Sequence, residues 1–226
     1  MSIISDNLIA IRSRMKSAAD RVGRQVSDIR LVAVSKTYPP SVIREAWEAG
    51  QRVFGENRVQ DALPKIQELP AEAEWHFIGH LQSNKIRKAL PAFELIHGVD
   101  NPELAIQINR IAGEMGLTAS VLLETNVSGE ASKFGFSPDA LRQNLEDLLS
   151  LPNLCVKGLM TMAPYSEDPE NARPVFSALR KLRDELASKT QHPLPELSMG
   201  MSGDFEVAIG EGATIVRIGS SIFGHR

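Results

Sequence analysis

The sequence has few of the features that mark secreted, membrane-bound or disulfide-stabilised proteins. Cys155 is its only cysteine, so no internal disulfide can form. No apolar run approaches the roughly 20 residues that a helix needs to cross a bilayer. Residues 1–6 lack the basic and apolar regions of a signal peptide. We therefore expect a cytoplasmic protein that does not associate with membranes.

The patterns of metal and nucleic-acid sites are also missing. The five histidines show neither an HExxH pattern nor a zinc-type spacing with cysteine, so we expect no metal site. The formal net charge of -3 argues against a general nucleic-acid binder, since affinity for the phosphate backbone requires a concentrated positive surface. The remaining composition, 42% hydrophobic and 23% charged, is ordinary for a globular protein.

Hydrophobic periodicity predicts one long helix followed by an alternation of strands and helices. The first helix is indicated by apolar residues at spacings of three and four, namely Ile4, Leu8, Ile11, Met15, Ala18 and Val22. Short apolar runs predict strands at 29–35, 52–54, 75–78, 95–99, 120–124, 154–160, 196–199 and 214–218. Helices are predicted between them, at 40–49, 58–68, 84–90, 102–115, 138–149, 170–189 and 204–210.

This alternation predicts the fold class. Eight strands that alternate with helices, with one extra N-terminal helix, are typical of a (β/α)8 TIM barrel. An open doubly wound sheet is the alternative, because it is built from the same alternation. No linker-like segment or break in composition divides the chain, so we expect residues 1–226 to form one domain.

Active sites of such barrels lie at the C-terminal ends of the strands, so polar residues there carry the most weight. The residues at these positions are Lys36, Glu56, Asn57, His80, Asp100, Asn126, Thr161, Ser202, Arg217, Gly219 and Ser220. Lys36 directly follows the apolar run of the first strand, which predicts an amine at the barrel mouth. Such an amine is placed to attack an aldehyde, although a lysine that merely reaches solvent fits the position equally well.

The last two strands predict an anion site. Arg217 interrupts an apolar strand, and a buried guanidinium needs partners; these are either a carboxylate in the barrel floor or a ligand. Gly219 and Ser220 follow this strand, and a glycine-rich segment with Ser202 follows the preceding one. Loops after strands seven and eight are the usual phosphate site of this barrel, because glycine lets backbone N–H groups approach an anion.

Four further positions have two interpretations each. Glu56 and Asn57 are candidates for a place beside a cofactor ring, and Asn57 fits a helix cap equally well. The aromatic segment 75–80 fits either the ring face or core packing. Asp100 is better explained as the cap of the following helix than as a base, and Lys133 is either a second amine near the mouth or a loop charge.

Six motifs occur in an order that is typical of one family. They are AVSK at 33–36, FGENRVQ at 54–60, HFIGHLQSNK at 76–85, GLM at 158–160, SMGMS at 198–202 and VRIGS at 216–220. The whole chain resembles the pyridoxal phosphate homeostasis proteins, the YggS/PROSC-like family, whose barrel is similar to the N-terminal domain of alanine racemase.

The resemblance implies a cofactor and its contacts. The cofactor is pyridoxal 5'-phosphate (PLP), and Lys36 matches the lysine that forms a Schiff base with it. Arg217 matches the arginine that faces the pyridine nitrogen. Phosphate-binding positions match Ser202, Gly219 and Ser220, and pocket-lining positions match Asn57 and Met199. The resemblance also implies a monomeric or weakly associating barrel.

The same resemblance is compatible with a PLP carrier and with a PLP-dependent enzyme. An arginine at the pyridine nitrogen makes the ring a poorer electron sink than a carboxylate would, which weakens carbanion chemistry. On the sequence given, which ends soon after the eighth predicted strand, we also expect no second domain to supply a racemase base. We therefore expect a non-catalytic carrier acting in PLP homeostasis, with apo-enzymes as candidate recipients. The alternatives are a weak PLP-dependent racemase or lyase, and a cofactor-free aldolase that uses Lys36 and Glu56.

Overall fold

Eight parallel strands close into a barrel in the computed structural model, which describes residues 2–130 and 134–224. The strands are β1 (Arg30–Val34), β2 (Val53–Glu56), β3 (Glu74–Phe77), β4 (Leu95–Val99), β5 (Ala119–Glu124), β6 (Leu154–Met160), β7 (Glu196–Ser198) and β8 (Ile215–Ile218). Each strand pairs with its chain neighbour, and β8 closes the barrel on β1 with Arg217 opposite Val32. The predicted TIM barrel is confirmed, and the open doubly wound sheet is wrong.

Helices follow the strands and cover the outside of the barrel. They are α1 (Ile3–Asp20), α2 (Pro40–Glu48), α3 (Val59–Glu68), α4 (Ile86–Ala89), α5 (Pro102–Glu114), α6 (Pro138–Leu149), α7 (Arg173–Thr190), α8 (Phe205–Gly210) and α9 (Ser220–Phe223). Short 3-10 turns precede β1, α4 and α7. Among the helices of the described residues, none combines the length and apolarity that a bilayer crossing demands.

The helix starts show which local sequence signals operate. Asn101 and Ser137 are N-caps whose side chains accept hydrogen bonds from the backbone N–H groups of Leu104 and Ala140, and each is followed by a proline at the first helical position. The prediction that Asp100 caps α5 is therefore wrong by one residue. Asp100 instead accepts a hydrogen bond from the Asn101 side-chain amide at 2.7 Å, and its other carboxylate oxygen lies 2.9 Å from His80 Nδ1.

The strands separate two apolar layers. The larger layer lies between the barrel and its helices and includes the outward-facing Phe54, Trp75 and Phe77. The smaller layer fills the barrel interior and consists of Val32, Val53, Leu95, Leu122, Met160 and Ile215. Because side chains alternate along a strand, the inward positions of β3, β4, β7 and β8 also place polar groups in this interior. These polar groups connect the barrel core with its mouth.

Candidate functional site

A cavity of about 420 Å³ opens at the C-terminal ends of β1, β2 and β8. Its volume lies in the usual range for small-molecule sites, about 300–1,000 Å³. Four of the predicted residues line it, namely Lys36, Asn57, Gly219 and Ser220. The structure therefore brings together the amine after the first strand and the glycine–serine turn after the last. These segments lie far apart in sequence and become neighbours because β8 pairs with β1.

Lys36 is exposed at this cavity and follows an anchored residue. Ser35 is fully buried, and its hydroxyl donates to Glu56 Oε1 at 2.7 Å. Lys65 of α3 donates to the same carboxylate oxygen at 2.7 Å and to the Ser35 carbonyl at 3.0 Å. This buried cluster of Ser35, Glu56 and Lys65 lies behind the barrel wall, fixes the end of β1 and presents the Lys36 amine to the mouth.

Backbone N–H groups converge beside the amine. The N–H groups of Gly219 and Ser221 both donate to the Ser202 hydroxyl oxygen, at 3.3 and 3.5 Å. Two main-chain donors aimed at one oxygen are the arrangement that binds a phosphate oxygen in other anion sites. Ser202 and Ser220 add hydroxyl groups, and both are half-buried. The residues present therefore fit a ligand that carries an anionic group.

Arg217 lies deeper, inside the barrel below the mouth. Its guanidinium is 5% exposed and donates to the Ser198 hydroxyl and, at 3.0 Å, to the Thr161 carbonyl. Burial lowers the pKa of Arg217 to about 10, while the carboxylates of Glu124 and Asp204 act in the opposite direction. The group therefore stays cationic near neutral pH. No described carboxylate forms a salt bridge with it, so of the two alternatives for Arg217 the ion pair in the barrel floor is wrong.

Acidic and imidazole groups occupy the opposite side of the mouth. His80 Nδ1 lies 2.9 Å from Asp100 Oδ2, and the His80 ring stacks on Phe134 with ring centroids 4.9 Å apart. Burial raises the pKa of Glu124 at the end of β5, and repulsion from Asp100 raises it further. The mouth is therefore divided into an amine and anion-binding half at β1, β2 and β8 and an acidic half at β3 to β5.

Several candidates lie elsewhere than at the cavity. Met199 is fully buried in the outer apolar layer. Glu56 points away from the mouth into its pair with Lys65, so it is neither beside the ring position nor placed as an aldolase base. Asn57 does not cap α3, whose N-cap is Arg58. Trp75 and Phe77 of the segment 75–80 pack in the core, and Lys133 lies outside the described residues.

Other residues of the site were not predicted from the sequence. Thr37, Tyr38, Arg58, Asp61 and Gly224 complete the cavity wall. They lie in loops or at helix starts, where hydrophobic periodicity carries no information. His76, His97 and Ser198, which turn into the barrel, carried a signal: each is a polar residue inside an apolar strand.

The combined geometry suits one kind of chemistry. An accessible primary amine condenses with an aldehyde to an imine and releases water. Convergent N–H donors hold an anion nearby, and a buried cation lies below. An aromatic or aliphatic aldehyde that carries a phosphate group satisfies all three features at once.

Comparison with known proteins places this arrangement in a family. A family model that describes the N-terminal domain of alanine racemase matches residues 7–226. A pyridoxal phosphate homeostasis protein of Aquifex aeolicus is 48% identical over 222 residues, covering 98% of this chain and 97% of that protein. The chain belongs to the pyridoxal phosphate homeostasis family. The homologous family member of Escherichia coli K12 is 42% identical and covers 100% of this chain and 98% of its own length.

Solved structures agree with this membership. PipY of Synechococcus elongatus, whose structure with PLP bound is known, superposes with a TM-score of 0.87 at 39% identity, covering 98% of this chain and 100% of that chain. An alanine racemase of Clostridium difficile superposes with a TM-score of 0.76 at 18% identity, over 98% of this chain and 57% of the racemase. At that identity the second match concerns the fold alone. The pyridoxal phosphate homeostasis family and the racemase thus share a barrel.

Proposed function

We propose that this protein binds PLP as a Schiff base on Lys36 and acts as a carrier in PLP homeostasis, without a catalysed reaction of its own. The observation that carries the proposal is the shared cavity of Lys36, Asn57, Gly219 and Ser220. It places an amine and a main-chain anion site within the reach of one small molecule. The PLP-bound relative and the names of the curated relatives support the same ligand.

Each group has a defined role in the proposed complex. The Lys36 amine attacks the aldehyde carbon, and the carbonyl oxygen leaves as water. The N–H groups of Gly219 and Ser221, with the hydroxyl groups of Ser202 and Ser220, hold the phosphate. Arg217 donates a hydrogen bond to the pyridine nitrogen and keeps its own proton.

A non-catalytic role is supported by the charge of Arg217. PLP enzymes stabilise carbanions by drawing electrons into a ring whose nitrogen is protonated, and a carboxylate partner favours that proton. A guanidinium at the same position is already positive and disfavours a second positive charge beside it. The bound cofactor is then protected as an imine and remains available for transfer to apo-enzymes.

A weak racemase or lyase activity is the second candidate, because the mouth also holds acid–base groups. His80 and Asp100 form a hydrogen-bonded pair, and Glu124 lies in the same acidic half. Incubation of the loaded protein with single enantiomers of amino acids, followed by chiral chromatography, separates the two functions. A carrier leaves the enantiomers unchanged.

Borohydride reduction of protein incubated with PLP tests the Schiff base directly, because it converts an imine to a stable amine. We expect peptide mass mapping to find the pyridoxyl adduct on Lys36. Lys36→Ala should lose the visible absorption band of bound PLP. Lys85→Ala is the matched control, since Lys85 lines the neighbouring cavity and should keep the band. An adduct distributed over other lysines, with Lys36 unmodified, contradicts the proposal.

A further inference from the structure

A chain of five hydrogen-bonded side chains crosses the barrel interior from its floor to the region below the mouth. Glu74, the first residue of β3, accepts from His76 Nε2 at 2.8 Å. His76 Nδ1 lies 2.9 Å from His97 Nε2, and His97 Nδ1 lies 2.9 Å from the Ser198 hydroxyl. Arg217 donates to the same hydroxyl. The chain therefore joins a half-exposed carboxylate to the buried guanidinium.

Burying these polar side chains in the barrel interior costs free energy of desolvation. His76, His97 and Ser198 are fully buried, and the surrounding barrel interior is an apolar layer. A buried polar group destabilises the fold unless a hydrogen bond satisfies it, whereas an apolar residue of similar volume needs no partner. Neither these three residues nor Arg217 lines the Lys36 cavity. Packing alone does not require polar side chains in this apolar layer, so their role lies in the hydrogen bonds that they form with one another and with Arg217.

When both histidines are neutral, the two ends of the chain fix where every proton lies. A guanidinium only donates, so Ser198 accepts from Arg217 and can donate its own proton to His97 Nδ1. Neutral His97 then carries its proton on Nε2 and donates to His76 Nδ1. Neutral His76 likewise carries its proton on Nε2 and donates to the Glu74 carboxylate, which only accepts. All donors point from the arginine to the glutamate.

His97 is neutral in this chain. Burial holds its pKa well below its ordinary value, and nearby positive charge, that of Arg217 included, lowers the pKa further. The hydrogen bond from His76 lowers the pKa of Glu74, and Arg30, 3.6 Å away, adds to this. Glu124 and Asp204 are the carboxylates that act on Arg217 from the mouth. The reverse order requires His76 to be an imidazolium.

We propose that His76, His97 and Ser198 are positioning residues that hold Arg217 in one orientation and protonation state toward the bound cofactor ring. This inference rests on the proposed function, because it concerns the ring nitrogen of PLP. A direct carboxylate partner would turn the guanidinium donors away from the ligand. The chain ends on Glu74 at the opposite end of the barrel, and no carboxylate of the described residues takes up the Arg217 donors in a salt bridge.

The histidine tautomers of the protein without PLP are the first test. Heteronuclear NMR of the imidazole nitrogens should show His76 and His97 as neutral rings protonated on Nε2 near neutral pH. His97→Gln should keep the chain, because an amide offers one donor and one acceptor, whereas His97→Leu interrupts it. A ring of either histidine protonated on Nδ1, or a doubly protonated His76, overturns the inference whether or not PLP binds.

The absorption band of bound PLP is the second test. In His97→Leu we expect the adduct to remain on Lys36 while the band shifts, because Arg217 is released; His97→Gln should keep the wild-type band. If His97→Leu does not fold, Ser198→Ala against Ser198→Thr gives the same comparison. Identical bands in interrupted and conservative variants overturn the positioning role. If the wild-type protein does not bind PLP, the proposed function is contradicted instead. The histidine tautomers then still test the order of the hydrogen bonds, because they are measured without PLP.

Discussion

At the scale of single residues, the anchor behind Lys36 is a buried ion pair. Lys65 and Glu56 have 9% and 0% exposed side chains, and the second oxygen of Glu56 has no hydrogen-bond partner among the described residues. Such pairs are sensitive to the loss of one member, since the remaining charge stays buried without compensation. The position of the Lys36 amine therefore depends on a residue of α3, the third element after β1.

Replacing one member of this pair should destabilise the protein strongly. We expect Lys65→Met to lower the free energy of unfolding by about 3–5 kcal/mol, because it leaves the Glu56 carboxylate buried and unpaired. The double variant Lys65→Met with Glu56→Gln should recover much of this loss, since no buried charge remains. Urea denaturation measures both. Equal losses in the single and double variants would show that packing, and not charge, causes the effect.

Glu124 gives a prediction for pH dependence. Its pKa is raised in the folded state by burial and by Asp100, so the folded protein binds this proton more tightly than the unfolded chain does. The associated stability is present at low pH and is lost as the pH rises through the raised pKa. Glu124→Gln should therefore be more stable than wild type near neutral pH, and the difference should vanish below about pH 4.

Thermal unfolding at a series of pH values measures this difference. Glu94→Gln is a suitable control, because Glu94 is an exposed glutamate just before β4. We expect the control to follow the wild-type profile. A destabilised Glu124→Gln at neutral pH would mean that its attraction to Arg217 outweighs the cost of its burial.

At the scale of elements, the strands were easier to predict than the short helices between them. The predicted bounds of β4 and β6 agree with the structure. The predicted helix at 84–90 is a 3-10 turn and the four-residue α4, and α9 was not predicted. Both are too short for an amphipathic period to develop. The short length of these helices, more than their composition, therefore limited the prediction of helices.

Residues of the candidate site could be predicted from the sequence where their proximity depends only on the order of the strands. Lys36, Gly219 and Ser220 follow strands that the barrel makes adjacent, so counting strands was sufficient to bring them together. Glu56 was misplaced because the last residue of a strand faces inward or outward according to register, which the sequence does not reveal. Met199 has the same ambiguity and lies on the outer side.

The loops after β7 and β8 give a prediction about ligand discrimination. Ser202→Ala with Ser220→Ala removes the hydroxyl groups of the anion site and leaves Lys36 in place. We expect the double variant to lose more affinity for PLP than for pyridoxal, because only PLP carries the phosphate. Titration of the absorption band with each aldehyde measures the two affinities. Equal losses would contradict a phosphate site in these loops.

At the scale of the whole molecule, α1 connects the two ends of the described chain. Its buried face consists of Ile4, Leu8, Ile11, Met15, Ala18 and Ala19. The Asn7 side chain donates to the Ile222 carbonyl of α9 at 2.8 Å. Helix α9 begins directly after Gly219, so α1 supports the turn that lines the Lys36 cavity. The extra N-terminal helix is thus part of the barrel's support.

A substitution in α1 should accordingly affect the entire fold. Leu8 is fully buried, and we expect Leu8→Ala to lower the free energy of unfolding by about 2–5 kcal/mol. Ile9 is 55% exposed on the other face, and Ile9→Ala should change stability by less than about 0.5 kcal/mol. Circular dichroism and tryptophan fluorescence in urea should give one coincident transition. A separate early transition in Leu8→Ala would show that α1 unfolds independently of the barrel.

The hydroxyl of Ser202 has a kinetic consequence. It already holds the N–H groups of Gly219 and Ser221 in a converging direction, so an arriving anion exchanges one acceptor for another without rearranging the main chain. Stopped-flow mixing with inorganic phosphate should therefore show uptake rates that rise linearly with ligand concentration and do not reach a plateau. A plateau in these rates would mean that the main chain rearranges before the anion binds.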